Sequence, residues 1–180
     1  MPPQAFLSKI RAAADLASNL DPAAVPALIA LIGESDSAVR YWGALGLLMR
    51  GEAAVRQGAE VLKKALVDES ASVRIVAAQS LVQHDSGGSS GAALDTLGSL
   101  ADPKNNGVLT AMSALAAIEA LGPKAASLHP AIATMQPDGP SPDGRYNSYV
   151  PRLITNIVPQ AKAAATNRKA KGKGKKKGQQ

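Results

Sequence analysis

Few residues of this chain have the types and spacing that chemistry at a site would need. Asp102–Gly107 begins like a calcium-binding loop, but Lys104 stands at the third position and Ser113 at the twelfth, where a bidentate acid is required. Asp85–Gly91 is rich in glycine and serine, yet it lacks the preceding strand and the following Lys-Ser/Thr pair of a phosphate loop. We interpret the first as a turn with a helix cap and the second as a linker.

The two histidines, His84 and His129, are far apart, and neither has an acid or a second histidine four residues later. A metal ligand or a general base needs such partners within bonding reach. The chain has no cysteine, which excludes disulfides, thiolate metal sites and a cysteine nucleophile. We therefore predict no catalytic residue, no metal site and no cofactor, and a protein that is not an enzyme.

Two arginines recur at one register, because Arg74 follows Arg40 by 34 residues. Their guanidinium groups could bind the carboxylates of a partner or pair with acids of the same chain. Such forked donors suit partly buried ion pairs, so we favour an internal structural ladder made of Asp36, Arg40 and Arg74. The acids available for pairing at this register are Glu34, Asp36, Asp68 and Glu69.

Both arginines belong to a repeated segment. Asp36–Leu47, DSAVRYWGALGL, is followed 34 residues later by Ser70–Leu81, SASVRIVAAQSL. In each segment, apolar or small side chains recur at intervals of three and four, which places them on one helical face. Gly122 in turn follows Gly51 by 71 residues, about two such periods. A helix repeated at a period in the mid-thirties indicates a helical solenoid.

The same patterns predict where the helices lie. A long loop rich in proline and glycine, Gln136–Arg145, separates the last helix from the others. We predict an all-α fold over residues 1–160, a right-handed α-solenoid of about four helix pairs preceded by one helix. The predicted helices cover residues 4–18, 22–32, 38–50, 52–67, 71–84, 92–101, 105–121, 124–135 and 147–160.

The helix pairs, in which D-x-x-VR opens the second helix and LG or RG ends it, resemble HEAT repeats. Tetratricopeptide repeats have a similar period, and Trp42-x-x-Leu45-Gly46 matches part of their signature. That motif is absent from Ser70–Leu81, and the proline expected at the repeat end is missing. The pattern therefore favours HEAT repeats.

A narrower resemblance rests on Asp21–Gly51 together with Asn147–Val158, NSYVPRLITNIV. These segments resemble the helical-repeat region that follows the catalytic domain of some bacterial sulfatases, and the resemblance spans residues 6–158. It implies that the chain is the accessory part of a sulfuric ester hydrolase without its catalyst. Sulfatases carry their nucleophile in C/S-x-P-x-R; Ser141 and Arg145 have the right separation, but Pro142 stands one place early.

Positive charge is concentrated at the C-terminus. The net charge is +6, yet residues 161–180 hold eight of the 20 Lys and Arg and no acid. The rest of the chain is near neutral, which argues against a folded polyanion-binding domain. We predict a disordered tail over residues 161–180. It would contact nucleic acid or an anionic surface only weakly, through Lys169, Lys171, Lys173, Lys175, Lys176 and Lys177.

No apolar run in the sequence approaches the roughly 20 residues that cross a bilayer, and the N-terminus lacks the apolar core of a signal peptide. We therefore expect no transmembrane segment and a cytoplasmic location for the chain as it stands. Membership of a secreted sulfatase would make the location periplasmic or extracellular.

Tyrosine and arginine cluster at the end of the long loop and just after it, at Arg145, Tyr146, Tyr149 and Arg152. Because these residue types most often anchor interfaces, we predict that the cluster binds a partner. The alternative is that Tyr149 packs on the preceding helix. The function we predict is a non-catalytic scaffold that binds or braces another protein or domain. The alternative is the accessory C-terminal portion of a sulfatase-type hydrolase that lacks its catalytic domain.

Overall fold

The computed structural model describes residues 3–84, 88 and 90–158, and within these residues the fold is helical without a strand. This confirms the predicted all-α helical-repeat solenoid. Short 3₁₀ segments occur at Pro22–Ala24, Gly122–Leu128 and Gly144–Ser148. The α-helices are α1 (Pro3–Ser18), α2 (Val25–Leu31), α3 (Ser37–Arg50), α4 (Glu52–Gln57), α5 (Ala59–Ala65), α6 (Ala71–Gln83), α7 (Ser90–Leu100), α8 (Pro103–Leu121), α9 (His129–Thr134) and α10 (Tyr149–Ile157).

The helices form two layers. In one layer, α1, α3, α6, α8 and α10 follow one another, and each contacts the next. The other layer contains α2, α4 with α5, α7, and the 3₁₀ segment that leads into α9. The chain thus alternates between layers in four helix pairs after α1, and each pair buries its apolar face against its neighbours.

The repeated segments form α3 and α6 because each has a capped start and an apolar face. Asp36 is extended (φ −87°, ψ 125°), and its carboxylate accepts hydrogen bonds from the backbone N–H groups of Ala38 (2.8 Å) and Val39 (3.1 Å). Such a cap satisfies donors that the first helical turn leaves free. The fully buried side chains of α3 are Val39, Ala44 and Leu47, and those at the same register of α6 are Val73, Ala78 and Leu81.

Two predicted helices are interrupted. The predicted helix 52–67 is divided at Gly58 into α4 and α5. A side chain at Gly58 would place its Cβ 2.4 Å from Leu47 Cδ1, so this glycine allows α3 to approach closely. The predicted helix 105–121 begins earlier, at Pro103, and is broken at Gly107 (φ 77°, ψ 159°), a conformation that favours glycine. One extra turn, residues 103–106, therefore precedes the main part of α8.

One described stretch, Pro103–Thr134, is long and apolar enough to cross a membrane by length and composition alone. It consists of α8, a 3₁₀ segment and α9. Several of its apolar side chains are in the protein interior, among them Val108, Leu115 and Ile118. Within this stretch, α8 packs against α6, α7 and α10.

Candidate protein-interaction surface

A groove of about 550 Å³ runs between α3, α6 and α8, the second helices of the first three pairs. No charged residue lines it. Helices α3 and α6 contribute residues from their first nine positions, and α8 contributes residues from its second half. The lining residues are Ser37, Ala38, Tyr41, Leu45, Ser70, Ser72, Ile75, Val76, Gln79, Ser113, Ala116 and Ala117.

The groove combines apolar walls with uncharged polar groups. Serine and alanine dominate its lining, and these small side chains leave the space open between the helices. Tyr41 packs edge-on against Trp42, with ring centroids 5.7 Å apart and an interplanar angle of 77°. An apolar surface with a few hydrogen-bonding groups is what a protein segment recognises, because it offers both burial and orientation.

Within the predicted ladder, Arg40 forms ion pairs with carboxylates; we call this set of contacts the Arg40 rung. Its Nε donates to Asp68 Oδ2 (2.7 Å) and its Nη2 to Asp68 Oδ1 (2.8 Å), a bidentate pair, and Nη2 also donates to Glu69 (3.0 Å). Nη1 donates to the carbonyl oxygens of Glu34 (3.0 Å) and Ser35 (2.9 Å). Both partners of the main pair are mostly buried, with side-chain exposures of 9% for Arg40 and 12% for Asp68.

Arg40 and Asp68 each stabilise the charged form of the other. Burial alone would raise the pKa of the Asp68 carboxyl, but hydrogen bonds from Arg40 and from the Ser70 N–H, with the charges of Arg40 and Arg74, hold that pKa below its ordinary value. The Asp68 hydrogen bond raises the pKa of Arg40 far above the range in which arginine titrates in water. The rung is therefore an ion pair at neutral pH.

The structure corrects the ladder at its other two members. Asp36 does not pair with Arg40, because its carboxylate caps α3. Arg74 has no carboxylate bonded to its Nε, which is buried without a hydrogen-bond partner among the described residues. The recurrence of arginine at a 34-residue spacing is thus not matched by a recurrence of its partners.

The predicted cluster at the C-terminal end forms two separate arginine–tyrosine contacts. The guanidinium of Arg145 lies 5.3 Å from the ring centre of Tyr146, and that of Arg152 lies 5.8 Å from the ring centre of Tyr149. Tyr146 is partly buried against the core, whereas Tyr149 is 45% exposed. None of the four residues lines the groove. Their role in binding a partner stays a prediction.

The long loop that leads to this cluster is fixed to the start of α8. The carbonyl oxygen of Pro140 accepts a hydrogen bond from the N–H of Val108 (2.8 Å), the group that follows the break at Gly107. Gly139 packs directly on the backbone of Pro103; a Cβ there would lie 2.0 Å from the Pro103 carbonyl oxygen. The loop thus caps the main part of α8, a function that its Pro/Gly composition alone did not indicate.

Arg50 is a structural residue that the sequence analysis missed. Its guanidinium donates to the carbonyl oxygens of Leu16 and Ala17 at the end of α1, both at 2.9 Å. The remaining acceptors of Arg50 are the Gly46, Asp21 and Asn19 oxygens. Arginine in the last helical turn is the available signal, because positive charge is favoured beside carbonyls at helix C-termini. That signal does not reveal that the carbonyls belong to another helix.

The residues predicted to act on nucleic acid or an anionic surface, Lys169 to Lys177, lie outside the described residues. So does most of the predicted linker Asp85–Gly91. Among the described residues, no three His, Asp or Glu side chains form a group that could hold a metal ion.

Comparison with known families accords with the two-layer arrangement of helix pairs. A family model described as HEAT repeats matches residues 7–82. This part of the chain is similar to HEAT repeats. The match begins within α1, ends within α6 and includes both repeated segments, so it supports the HEAT interpretation over the tetratricopeptide one. No curated protein matches the chain. The family match carries no indication of a sulfatase.

Proposed function

We propose that this HEAT-repeat chain is a non-catalytic scaffold that binds another protein in the groove between α3, α6 and α8. The observation that carries the proposal is the groove itself, an uncharged surface of about 550 Å³ with apolar walls and hydroxyl groups. HEAT repeats commonly mediate protein interactions and are typically not catalytic. The uncharged lining favours a partner segment that contributes apolar side chains and hydrogen-bonding groups rather than a polyanion.

Site-specific photo-crosslinking tests this proposal. A photoreactive phenylalanine analogue at Gln79, within the groove, should crosslink one defined protein in the source cells. The matched control is the same analogue at Ser99, an exposed position on α7 in the other layer. Mass spectrometry would identify the adducts. Crosslinks that are equal at both positions would contradict binding in the groove.

Charge placed in the groove should block the partner. Ser72 on α6 and Ser113 on α8 are exposed and line the groove, so Ser72→Arg or Ser113→Arg adds bulk and charge without removing a core contact. Each should reduce the Gln79 crosslink, while Ser99→Arg should leave it unchanged. Thermal denaturation of each variant checks that the fold is retained.

The cluster Arg145, Tyr146, Tyr149 and Arg152 is proposed as a second contact for the same partner. Its two arginine–tyrosine pairs have the composition of interface anchors. The double variant Arg145→Ala, Tyr146→Ala should weaken binding of the crosslinked partner. Because Tyr146 packs against the core, Arg152→Ala serves as the variant that leaves packing intact. Identification of a sulfuric ester hydrolase domain as the crosslinked partner would favour the alternative function, an accessory portion of a sulfatase-type hydrolase.

A further inference from the structure

The groove between α3, α6 and α8 contains polar side chains that the folded chain leaves unpaired. The lining side chains that form no hydrogen bond to another described residue are those of Ser37, Tyr41, Ser70, Ser72 and Gln79. Ser113, by contrast, donates to the Leu109 carbonyl oxygen in the preceding turn of α8 (3.1 Å). The other serines lie at or next to the start of α3 or α6, where no helical carbonyl precedes them by four residues.

A partner that covers the groove must replace the water around these groups. Ser72 is exposed, and Tyr41 and Gln79 are partly exposed, so an occupant would remove solvent from all three. A polar group that is buried without a hydrogen-bond partner costs about 1–3 kcal/mol. The lining also holds no charged residue that could pair with a charge of the occupant. The occupant must therefore bring uncharged hydrogen-bonding groups along the contact.

The main chain meets this requirement in an extended segment but not in a helix. In an α-helix the N–H and C=O groups bond one another, apart from those at the two ends. An extended segment presents an unpaired N–H and C=O at every residue, while its side chains point alternately to two sides. The Gln79 amide has an acceptor oxygen and an NH₂ donor, so it can pair with both kinds of main-chain group.

We propose that the occupant of the groove is an extended, uncharged segment of the partner protein. Its main-chain N–H and C=O groups pair with the amide of Gln79. Its apolar side chains pack against Ile75 and Val76, which line the groove one turn earlier on α6. This inference rests on the proposed function, because it takes the groove as the binding site. It adds the conformation of the bound segment, which the volume and the apolar walls of the groove do not specify.

Selection from two phage-displayed libraries tests this inference without knowledge of the partner. One library displays random linear peptides, and the other varies the exposed face of one helix in a stable helical bundle. Both are selected on the full chain, and phage that still bind the Ser72→Arg variant are removed. The linear library should yield groove-dependent peptides with little charge, whereas the helix library should yield no groove-dependent binder.

A selected linear peptide then reports on the hydrogen bonds. Methylation of its main-chain N–H groups, one at a time, should weaken binding about fivefold at the residue that pairs with Gln79. Gln79→Met should weaken the unmodified peptide by at least this factor and should reduce the effect of that N-methylation. Gln83→Met is the matched control, because Gln83 is exposed one turn later on α6 and does not line the groove. Titration calorimetry measures the affinities.

Three results would overturn the inference. The helix library could yield groove-dependent binders, N-methylation could have no effect at any residue, or neither library could yield a binder. The crosslinks at Gln79 and Ser99 test separately whether the groove binds a protein at all. A crosslink specific to Gln79 together with helical binders would retain the proposed function and replace the extended segment by a helix. Equal crosslinks at both positions would instead contradict the proposed function itself.

Discussion

The first two repeated segments have the same apolar core but differ in how their polar groups are satisfied. At the start of α3, Arg40 donates hydrogen bonds to Asp68 and Glu69 before α6 and to the Glu34 carbonyl oxygen before α3. Around α6, Arg74 keeps a buried Nε without a partner among the described residues. The apolar pattern depends on one helix face, whereas each polar rung depends on acids in the following pair. In the third pair, the carboxylate of Asp102 caps the extra turn 103–106 of α8.

The C-terminal ends of the two helices show the same contrast. Arg50 at the end of α3 bonds the last carbonyls of α1. Its counterpart 34 residues later is His84, at the end of α6. His84 Nε2 is buried without a partner among the described residues. Burial lowers the pKa of His84, the charge of Lys124 lowers it further, and Glu52 opposes both effects.

The helix contacts differ as well. A Cβ on Gly43 of α3 would lie 2.8 Å from the Leu28 carbonyl oxygen and 2.9 Å from Leu31 Cβ, so α2 and α3 are in very close contact. The counterpart of Gly43 in α6 is Ala77, which is fully buried. The first pair thus has a glycine at the contact between its helices where the second pair has a buried methyl group, and the ion pair of Arg40 joins the first pair to the turn that precedes α6.

The largest effect on stability should come from breaking the ion pair between Arg40 and Asp68. Arg40→Met leaves Asp68 mostly buried without its partner and should lower the free energy of unfolding by about 3–5 kcal/mol. Arg74→Met, the matched change in α6, should cost about 1 kcal/mol or less, because no ion pair is lost. Urea denaturation of both variants measures the difference. Equal losses would contradict the contrast between the two rungs.

Removing the hydrogen bonds that Arg50, at the end of α3, donates to the end of α1 should have the next largest effect on stability. Arg50→Ala deletes the donors to the end of α1 and should cost about 2–3 kcal/mol. Hydrogen exchange should then increase in the last turn of α1 more than in α6. His84→Ala, at the counterpart position, should not affect α1. An unchanged α1 in the Arg50→Ala variant would show that these hydrogen bonds contribute little.

Tight packing of the first pair can be tested by adding one methyl group. Gly43→Ala should lower the free energy of unfolding by about 1–3 kcal/mol, because α2 must move away from α3. Alanine favours helix formation by about 1 kcal/mol over glycine, so a stabilised variant would indicate that α2 yields easily. The reverse change in α6, Ala77→Gly, should cost about 1 kcal/mol, mainly through helix propensity.

The smallest expected effect concerns His84 and pH. Its pKa is lowered in the folded protein, so the unfolded chain binds more protons once the pH falls below the ordinary histidine value of about 6.5. Stability should therefore fall between about pH 7 and pH 5.5 in the wild type, and by about 1 kcal/mol or less more than in His84→Gln. Denaturation at both pH values measures this.

Lys124→Gln should give a pH dependence between those of the wild type and His84→Gln, because it removes one of the two causes of the lowered pKa. An identical pH dependence in all three proteins would exclude His84 as the titrating group.

The helical repeat could be predicted from the sequence because its signals are local. The spacing of Val39, Ala44 and Leu47 and the cap at Asp36 act within one helix, and the 34-residue recurrence reports the second copy directly. The match of residues 7–82 to HEAT repeats agrees with this part of the prediction.

Only the tertiary structure decided which polar groups meet. Arg40 and Arg74 occupy equivalent places in the sequence, yet Asp68 pairs with the first, and the Nε of the second has no hydrogen-bond partner among the described residues. The hydrogen bonds from Arg50 to α1 and the contact of Gly139 with Pro103 likewise join segments that are distant in the chain. Helix formation depends on neighbours three or four residues away, whereas hydrogen-bond partners depend on the relative placement of whole helices to within a few tenths of an ångström.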